Sequence, residues 1–337
     1  MKRKKIMPET MRAIRLDGPV DIDGLTISNV PIPEVKQGQV RIRVRAFGVN
    51  ESEATSREGE SSPDFSFPRI LGIEAVGVVD AVGDGVALHP GQKVATMMGG
   101  LGRAIDGSYA EYTVVDAAQV IPFDTGLGWD VTGGLPEMLQ TAHGSITTGL
   151  SLQRGQCVLI HGGTSTVGLT AIAIAHQLGA TVIATTRNPA STNILTRAGA
   201  DYTVMDDDTL AESVHAIATD GLDAALELVS ATSLPTMLSV VRSGGTVCFV
   251  GALNGTWTIP DFDPFMIPNG VHLTSYAGDA DDLTPDALDR YLRAIEAGTF
   301  TVTIADVYHG LEGVPDAHRA LESRHRPGKL VVVLPTT

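Results

Sequence analysis

The residues Cys157-Val-Leu-Ile-His161-Gly162-Gly163-Thr164-Ser165-Thr166-Val167-Gly168 have the makings of an anion-binding turn. An apolar run feeds a turn of small residues, and a helix-like stretch over 167–178 follows at once. Such a turn leaves the first N–H groups of the helix unpaired and points the positive end of its dipole beyond the strand, which suits a pyrophosphate. Gly162, Thr164, Ser165, Thr166 and Val167 are the candidate contacts. Gly168, one turn into the helix, lets helix and strand pack closely. The spacing is Gly162-x-x-Ser165-x-x-Gly168 and not an intact G-x-G-x-x-G, so the loop by itself also fits an ordinary turn. Its setting favours a dinucleotide site: a second apolar run at 181–185 closes a strand-helix-strand unit of about 30 residues. A P-loop is excluded because no Lys stands at the end of the turn. The G-x-S-x-G of a nucleophile elbow is broken by Val167.

The second run ends Thr185-Thr186-Arg187-Asn188. A site for NAD places an acid about 20 residues past the loop to hold the ribose hydroxyls. No acid lies between Gly168 and Asp201. Arg187 offers a fixed cation there, and Thr186 and Asn188 offer short donors for a 2′-phosphate. The expected cofactor is therefore NADPH, the plainer alternative being a solvated loop arginine.

These groups need a frame. From 133 onward, short apolar runs at 157–161, 181–185, 223–228 and 246–250 alternate with helix-like stretches. That pattern predicts a doubly wound parallel sheet covered on both faces. Before it, residues 11–123 read as short strands and turns: 39–45 alternates, 75–82 is rich in Val and Gly, and Asp84-Gly85, Pro90-Gly91 and Asp106-Gly107 mark turns. The expected fold class is α/β: a β-rich barrel-like domain in the first part of the chain, a parallel sheet wrapped by helices from 133, and a loose tail at 1–10. A helix over 285–297 and a closing strand over 329–334 complete the chain.

Composition narrows the function classes. Over 337 residues, 24 Lys plus Arg against 39 Asp plus Glu give a net charge of −15, which disfavours nucleic acid and anionic membrane surfaces as partners. Two cysteines support neither a disulfide framework nor a four-thiolate zinc site. No apolar run reaches the roughly 18 residues that span a bilayer. Pro8-Glu9-Thr10 stands where a signal peptide has its apolar stretch, so a cytoplasmic location is expected.

Five ordered landmarks resemble the zinc-free quinone oxidoreductase branch of the medium-chain dehydrogenase/reductase superfamily. Gly48-Val49-Asn50-Glu51-Ser52-Glu53 followed by Arg57 resembles its G-x-N-x-x-D-x-x-x-R segment, with Glu53 where Asp is usual. Leu71-Gly72-Ile73-Glu74-Ala75-Val76-Gly77 resembles L-G-x-E-x-x-G, and Gly107-Ser108-Tyr109-Ala110-Glu111-Tyr112 resembles G-x-Y-A-E-Y. Leu135-Pro136-Glu137 with Thr141-Ala142, and Gly328-Lys329-Leu330-Val331, complete the set. The likeness implies a GroES-like catalytic domain over 11–132 and 272–337, interrupted by a Rossmann domain at 133–271. It implies no metal: Asn50 or Ser52 and Ile73 occupy the places of zinc ligands in other branches, and no cysteine lies between Gly91 and Val131. Without a Lewis acid, the expected chemistry is hydride transfer to a small electrophile needing little activation, a quinone or a carbonyl-conjugated alkene.

By the same resemblance, Asn50 lies beside the nicotinamide, Thr141 contacts cofactor, and Val250-Gly251-Ala252 meets the carboxamide at the end of a strand. Tyr276 is a candidate hydrogen-bond or proton donor, against a simple packing role. Tyr109 is expected to pack, and Arg57 and Glu74 are expected as a structural charge pair. Ser191 stands where some relatives have a phosphate-binding Lys, so Arg187 must replace it, and Phe65 and Phe67 are candidates for lining the substrate opening. A homodimer paired through the strand at 271–275 is expected. The alternatives are an enoyl reductase dedicated to one biosynthetic intermediate and an NADPH-binding redox sensor without turnover.

Overall fold

The computed structural model describes residues 9–61, 65–323 and 326–335. Its contacts divide the chain into Met1–Glu137 with Asp279–Leu292 and Ile304–Thr337, and Met138–Gly278 with Arg293–Thr303. Of the tail expected over 1–10, residues 1–8 lie outside the described residues, and Thr10 already opens the strand Thr10–Leu16.

In the second unit, Cys157–His161 (β1), Thr181–Thr186 (β2), Tyr202–Met205 (β3), Leu222–Glu227 (β4), Val241–Phe249 (β5) and His272–Ser275 (β6) pair in parallel, in the order β3-β2-β1-β4-β5-β6. This is the doubly wound dinucleotide-binding order. Thr166–Leu178 (α1), Thr192–Ala198 (α2), Leu210–Ile217 (α3) and Leu234–Val240 (α4) make the crossovers. The continuous apolar runs arise because central strands are covered on both faces: Val158, Leu159, Ile160, Ile183 and Ala225 are fully buried. The sheet runs past the boundary expected at 271, since His272–Ser275 continues the ladder in register with Thr246–Phe249.

The first unit is built around the strand Gln39–Val49. It pairs antiparallel with Glu74–Val82, Tyr112–Asp116 and Lys329–Val333. Burial alternates from Gln39 to Arg45 and then becomes continuous through Val49, so one half of the strand is one-sided and the other half lies wholly inside. Phe47, Tyr109, Ile14 and Val332 lie in the core on that side, and the Phe47 and Tyr109 rings stack at 4.9 Å. Tyr109 thus packs as expected. Phe65 and Phe67 form an edge-on pair at 5.0 Å and rest against the same core. The GroES-like β-rich domain and the parallel Rossmann sheet are both present.

Candidate functional site

The turn after β1 is built as a cradle. Gly162 has φ +84, a left-handed conformation that a residue without Cβ adopts without strain, and its N–H donates to Thr185 Oγ1 at 3.0 Å. Ser165 caps α1: its hydroxyl accepts the Gly168 N–H at 3.0 Å and donates to the Gly162 carbonyl at 2.8 Å. A Cβ on Gly168 would stand 2.3 Å from the Gly162 carbonyl oxygen, so glycine here keeps helix and turn in contact. The N–H groups of Thr166 and Val167, at the first two helical positions, have no partner among the described residues. Two open donors at a helix start, behind a turn of small residues, fit the phosphates of a dinucleotide.

Of the other expected cofactor positions, Thr186, Arg187 and Asn188 stand at the carboxyl end of β2 and Val250, Gly251 and Ala252 at that of β5, whereas Thr141 lies on a helix. Thr186 is buried, and its hydroxyl both donates to the Asn188 carbonyl and accepts the Asn188 N–H, each at 3.1 Å. Asn188 Oδ1 caps Ala190 N–H at 3.0 Å. These short side chains therefore shape the loop, and the exposed Arg187 has no hydrogen bond or ion pair among the described residues. Val250-Gly251-Ala252 leaves β5, with the Val250 N–H on the Glu227 carbonyl at 3.0 Å; Gly251 has open space around it, its nearest neighbour being the Leu228 carbonyl. Thr141 lies on the helix Leu135–Gly144, with its hydroxyl on Gln140 Oε1 at 3.1 Å. Tyr276 follows β6, is buried, and its hydroxyl accepts from Gln140 Nε2 at 2.8 Å, packed so closely to Gly144 that no Cβ fits there.

One cluster in this unit had no role in the sequence reading. His161, the last residue of β1, lies between Glu227 and Asp206, with Nδ1 to Glu227 Oε2 at 2.6 Å and Nε2 to Asp206 Oδ1 at 2.9 Å. Burial disfavours its charge, but the bonds from Asp206 and Glu227 outweigh that and push its pKa up to about 9.

In the first unit, Asn50 ends the central strand and is the N-cap of the helix Glu51–Arg57, with its N–H on Glu53 Oε2 at 2.9 Å. Its Nδ2 donates to Glu74 Oε1 at 3.1 Å and to Glu53 Oε1 at 3.3 Å, and its Oδ1 accepts from Lys329 Nζ. Lys329, 1% exposed, also meets Glu74 Oε1 at 2.6 Å and Glu137 Oε2 at 3.2 Å. Burial pushes Glu53 up to about 7, against the Ile73 N–H and the Lys329 charge that pull it down. The expected Arg57–Glu74 pair is corrected: Glu74 is held by Lys329, and Arg57 donates to Glu322 at 2.7 Å and Glu58 at 2.6 Å, because these strands bring the chain's closing lysine, not the helix arginine, to Glu74. Arg57 also donates to His318 Nδ1 at 3.3 Å, which leaves His318 Nε2–H to donate to the Tyr109 oxygen at 3.0 Å. Lys329 and Glu137 stood within the motifs, but nothing in their spacing tied them to residues hundreds of positions away.

Among the described residues, no group of three or more His, Cys, Asp or Glu is arranged to hold a metal ion, and no helix is long and apolar enough to cross a membrane. Both cysteines are free.

Comparison with known proteins matches residues 36–125 to the alcohol dehydrogenase GroES-like domain and residues 166–293 to the family model described as zinc-binding dehydrogenase. The chain is similar to the quinone oxidoreductase of Homo sapiens, 27% identical over 96% of this chain and 98% of that one. It is also similar to the chloroplastic NADPH-dependent alkenal/one oxidoreductase of Arabidopsis thaliana, 28% identical over 97% of this chain and 80% of the other. Among solved structures, the mycobacterial protein Rv1454c complexed with NADPH is 26% identical and superposes with a TM-score of 0.82 over 96% of this chain and 99% of that one.

Proposed function

We propose that this chain, which belongs to the quinone-oxidoreductase-like branch of the medium-chain dehydrogenase/reductase superfamily, is an NADPH-dependent reductase that transfers hydride to a quinone or to an alkene conjugated with a carbonyl. The observation that carries the reading is the turn Gly162–Gly168, opening into a capped helix with two unpartnered N–H groups at the carboxyl end of a doubly wound sheet. The similarity to an NADPH-dependent alkenal/one oxidoreductase and to an NADPH complex supports the same cofactor.

The coenzyme, once bound, supplies the hydride; the protein's part is to bind, orient and exclude water. Thr166 and Val167 N–H groups would hold the pyrophosphate, Arg187 the 2′-phosphate, and the backbone at Val250, Gly251 and Ala252 the carboxamide. Thr141 is proposed as a further cofactor contact. In a quinone or enone the incoming charge spreads to a distant oxygen, so a placed hydrogen-bond donor is enough to stabilise it. Tyr276 is the proposed donor, and Asn50 is proposed to position the ring or substrate through its carbonyl oxygen, an acceptor. The Asn50 amide is fixed by Lys329, Glu53 and Glu74, and its oxygen keeps one lone pair beyond the lysine bond. We further propose a cytoplasmic homodimer joined along β6, which is an edge of the sheet and has one paired side among the described residues.

The test is NADPH oxidation followed at 340 nm across a panel of quinones, enones and enals. Turnover with at least one class is expected. Tight NADPH binding with no oxidation by any of them would contradict the reductase reading and favour a redox-sensing protein.

A further inference from the structure

His161 ends β1 directly before the phosphate-binding turn and is 2% exposed. Each ring nitrogen meets a carboxylate, Glu227 at 2.6 Å and Asp206 at 2.9 Å. A neutral imidazole carries one N–H, so bonding two ionised carboxylates requires the imidazolium. The other Glu227 oxygen accepts the Val229 and Ser230 N–H groups at 2.6 and 3.0 Å, which fixes the carboxylate against the ring. Asp206 follows β3 and is partly open, with 22% of its side chain exposed. The register pairs Thr186 with Met205, and the Asp206 N–H donates to the Thr186 carbonyl at 3.0 Å, so Arg187 and Asp206 leave the sheet side by side. An uncompensated Asp206 would compete for the Arg187 guanidinium and repel any phosphate placed on it.

We propose that His161 is a coenzyme-selecting residue: as an imidazolium shared with Glu227 it holds Asp206 and offsets part of its charge, which leaves Arg187 to take the 2′-phosphate of the coenzyme's adenosine ribose. The inference rests on the NADPH reading above and adds to it a positioning residue that touches no part of the ligand. It also gives the preference a pH dependence. The charged groups facing the ring are Glu227 from β4 and Asp206 from the end of β3, with Arg187 beside Asp206 from the end of β2. Against the ring's burial, the two carboxylates keep it charged up to a pH of about 9. The 2′-phosphate is already a dianion above about pH 6, so it adds no step of its own in the alkaline range.

The experiment is a set of dissociation constants for NADPH and NADH, by fluorescence titration between pH 7 and 10, on the wild type, H161Q, D206N, H161Q/D206N and R187A. H161Q is expected to lose about tenfold in NADPH affinity with NADH nearly unchanged. H161Q/D206N is expected to regain the preference, because the uncompensated carboxylate has gone. The wild-type preference should fall as pH rises through about 9, and H161Q should lack that step. An unchanged preference in H161Q, or a loss that D206N does not repair, overturns the inference. If H161Q does not fold, D206N alone decides: NADPH preference kept or raised supports the proposal, and a drop overturns it. A wild type without NADPH preference, or one that R187A leaves intact, instead overturns the NADPH reading and this inference with it.

Discussion

At the scale of single residues, the chain places charge where burial makes it expensive and compensates each instance locally. Lys329 faces Glu74 and Glu137 inside the first unit, where removing one member of a buried pair leaves the others uncompensated. K329M is expected to lower the unfolding free energy by about 3–5 kcal/mol, read by urea denaturation; a loss under about 1 kcal/mol would mean the cluster is solvated. Glu53 gives a pH signature. Its folded pKa of about 7 lies above the ordinary 4.5, so the folded protein binds the extra proton. The stability it contributes is therefore complete below about 4.5 and is lost as pH rises through about 7. Stability measured from pH 4.5 to 7.5 should show that downward component in the wild type and lack it in E53Q; identical slopes would contradict it. None of these partners was readable from the chain alone. Glu74 and Arg57 were adjacent landmarks of opposite sign and suggested a pair, whereas the true partner of Glu74 lies in the closing strand. Likewise His161 read as the end of an apolar strand, because Asp206 and Glu227 reach it only once the four strands β3, β2, β1 and β4 are laid side by side.

At the scale of elements, the legible features were those that repeat locally. The apolar runs of β1, β2, β4 and β5 announce strands covered on both faces, and the alternation at 39–45 announces one that is covered on a single face. The turn Gly162–Gly168 was legible because its main need is a residue type, small residues with no Cβ at Gly162 and Gly168, whereas the cap at Ser165 emerged only in the structure. The end of the parallel sheet was half legible: a strand is expected at 271–275, but the expected domain boundary at 271 falls ahead of the half-exposed His272–Ser275 that joins the sheet by backbone pairing. The close approach at Gly168 makes a sharp prediction. G168A would bring a Cβ against backbone, which cannot swing aside as a side chain can. A loss of about 1–3 kcal/mol in thermal or urea unfolding is expected, with weaker binding of NADPH and NADH alike. Unaltered stability would mean the turn relaxes freely, and a selective loss of NADPH would place the effect elsewhere.

At the scale of the whole molecule, a chain of net charge −15 is proposed to bind a polyanionic coenzyme. The two facts are compatible because salt confines the field of exposed charges to about 8 Å at physiological strength, so what counts is the helix start and the cation beside it. Association should follow the sheet edge: light scattering is expected to give the mass of two chains, and a monomer's mass at micromolar concentration would remove the dimer proposal. The central claim is that Arg187 and the first turn of α1 divide the coenzyme between them, one taking the 2′-phosphate and the other the pyrophosphate. Calorimetric titration of wild type and R187A with NADPH and NADH tests it most directly. The wild type should bind NADPH more tightly than NADH. R187A should lose about tenfold to a hundredfold for NADPH alone, the worth of a charge-assisted contact. Equal affinities in the wild type, or no heat with either nucleotide, would contradict the account.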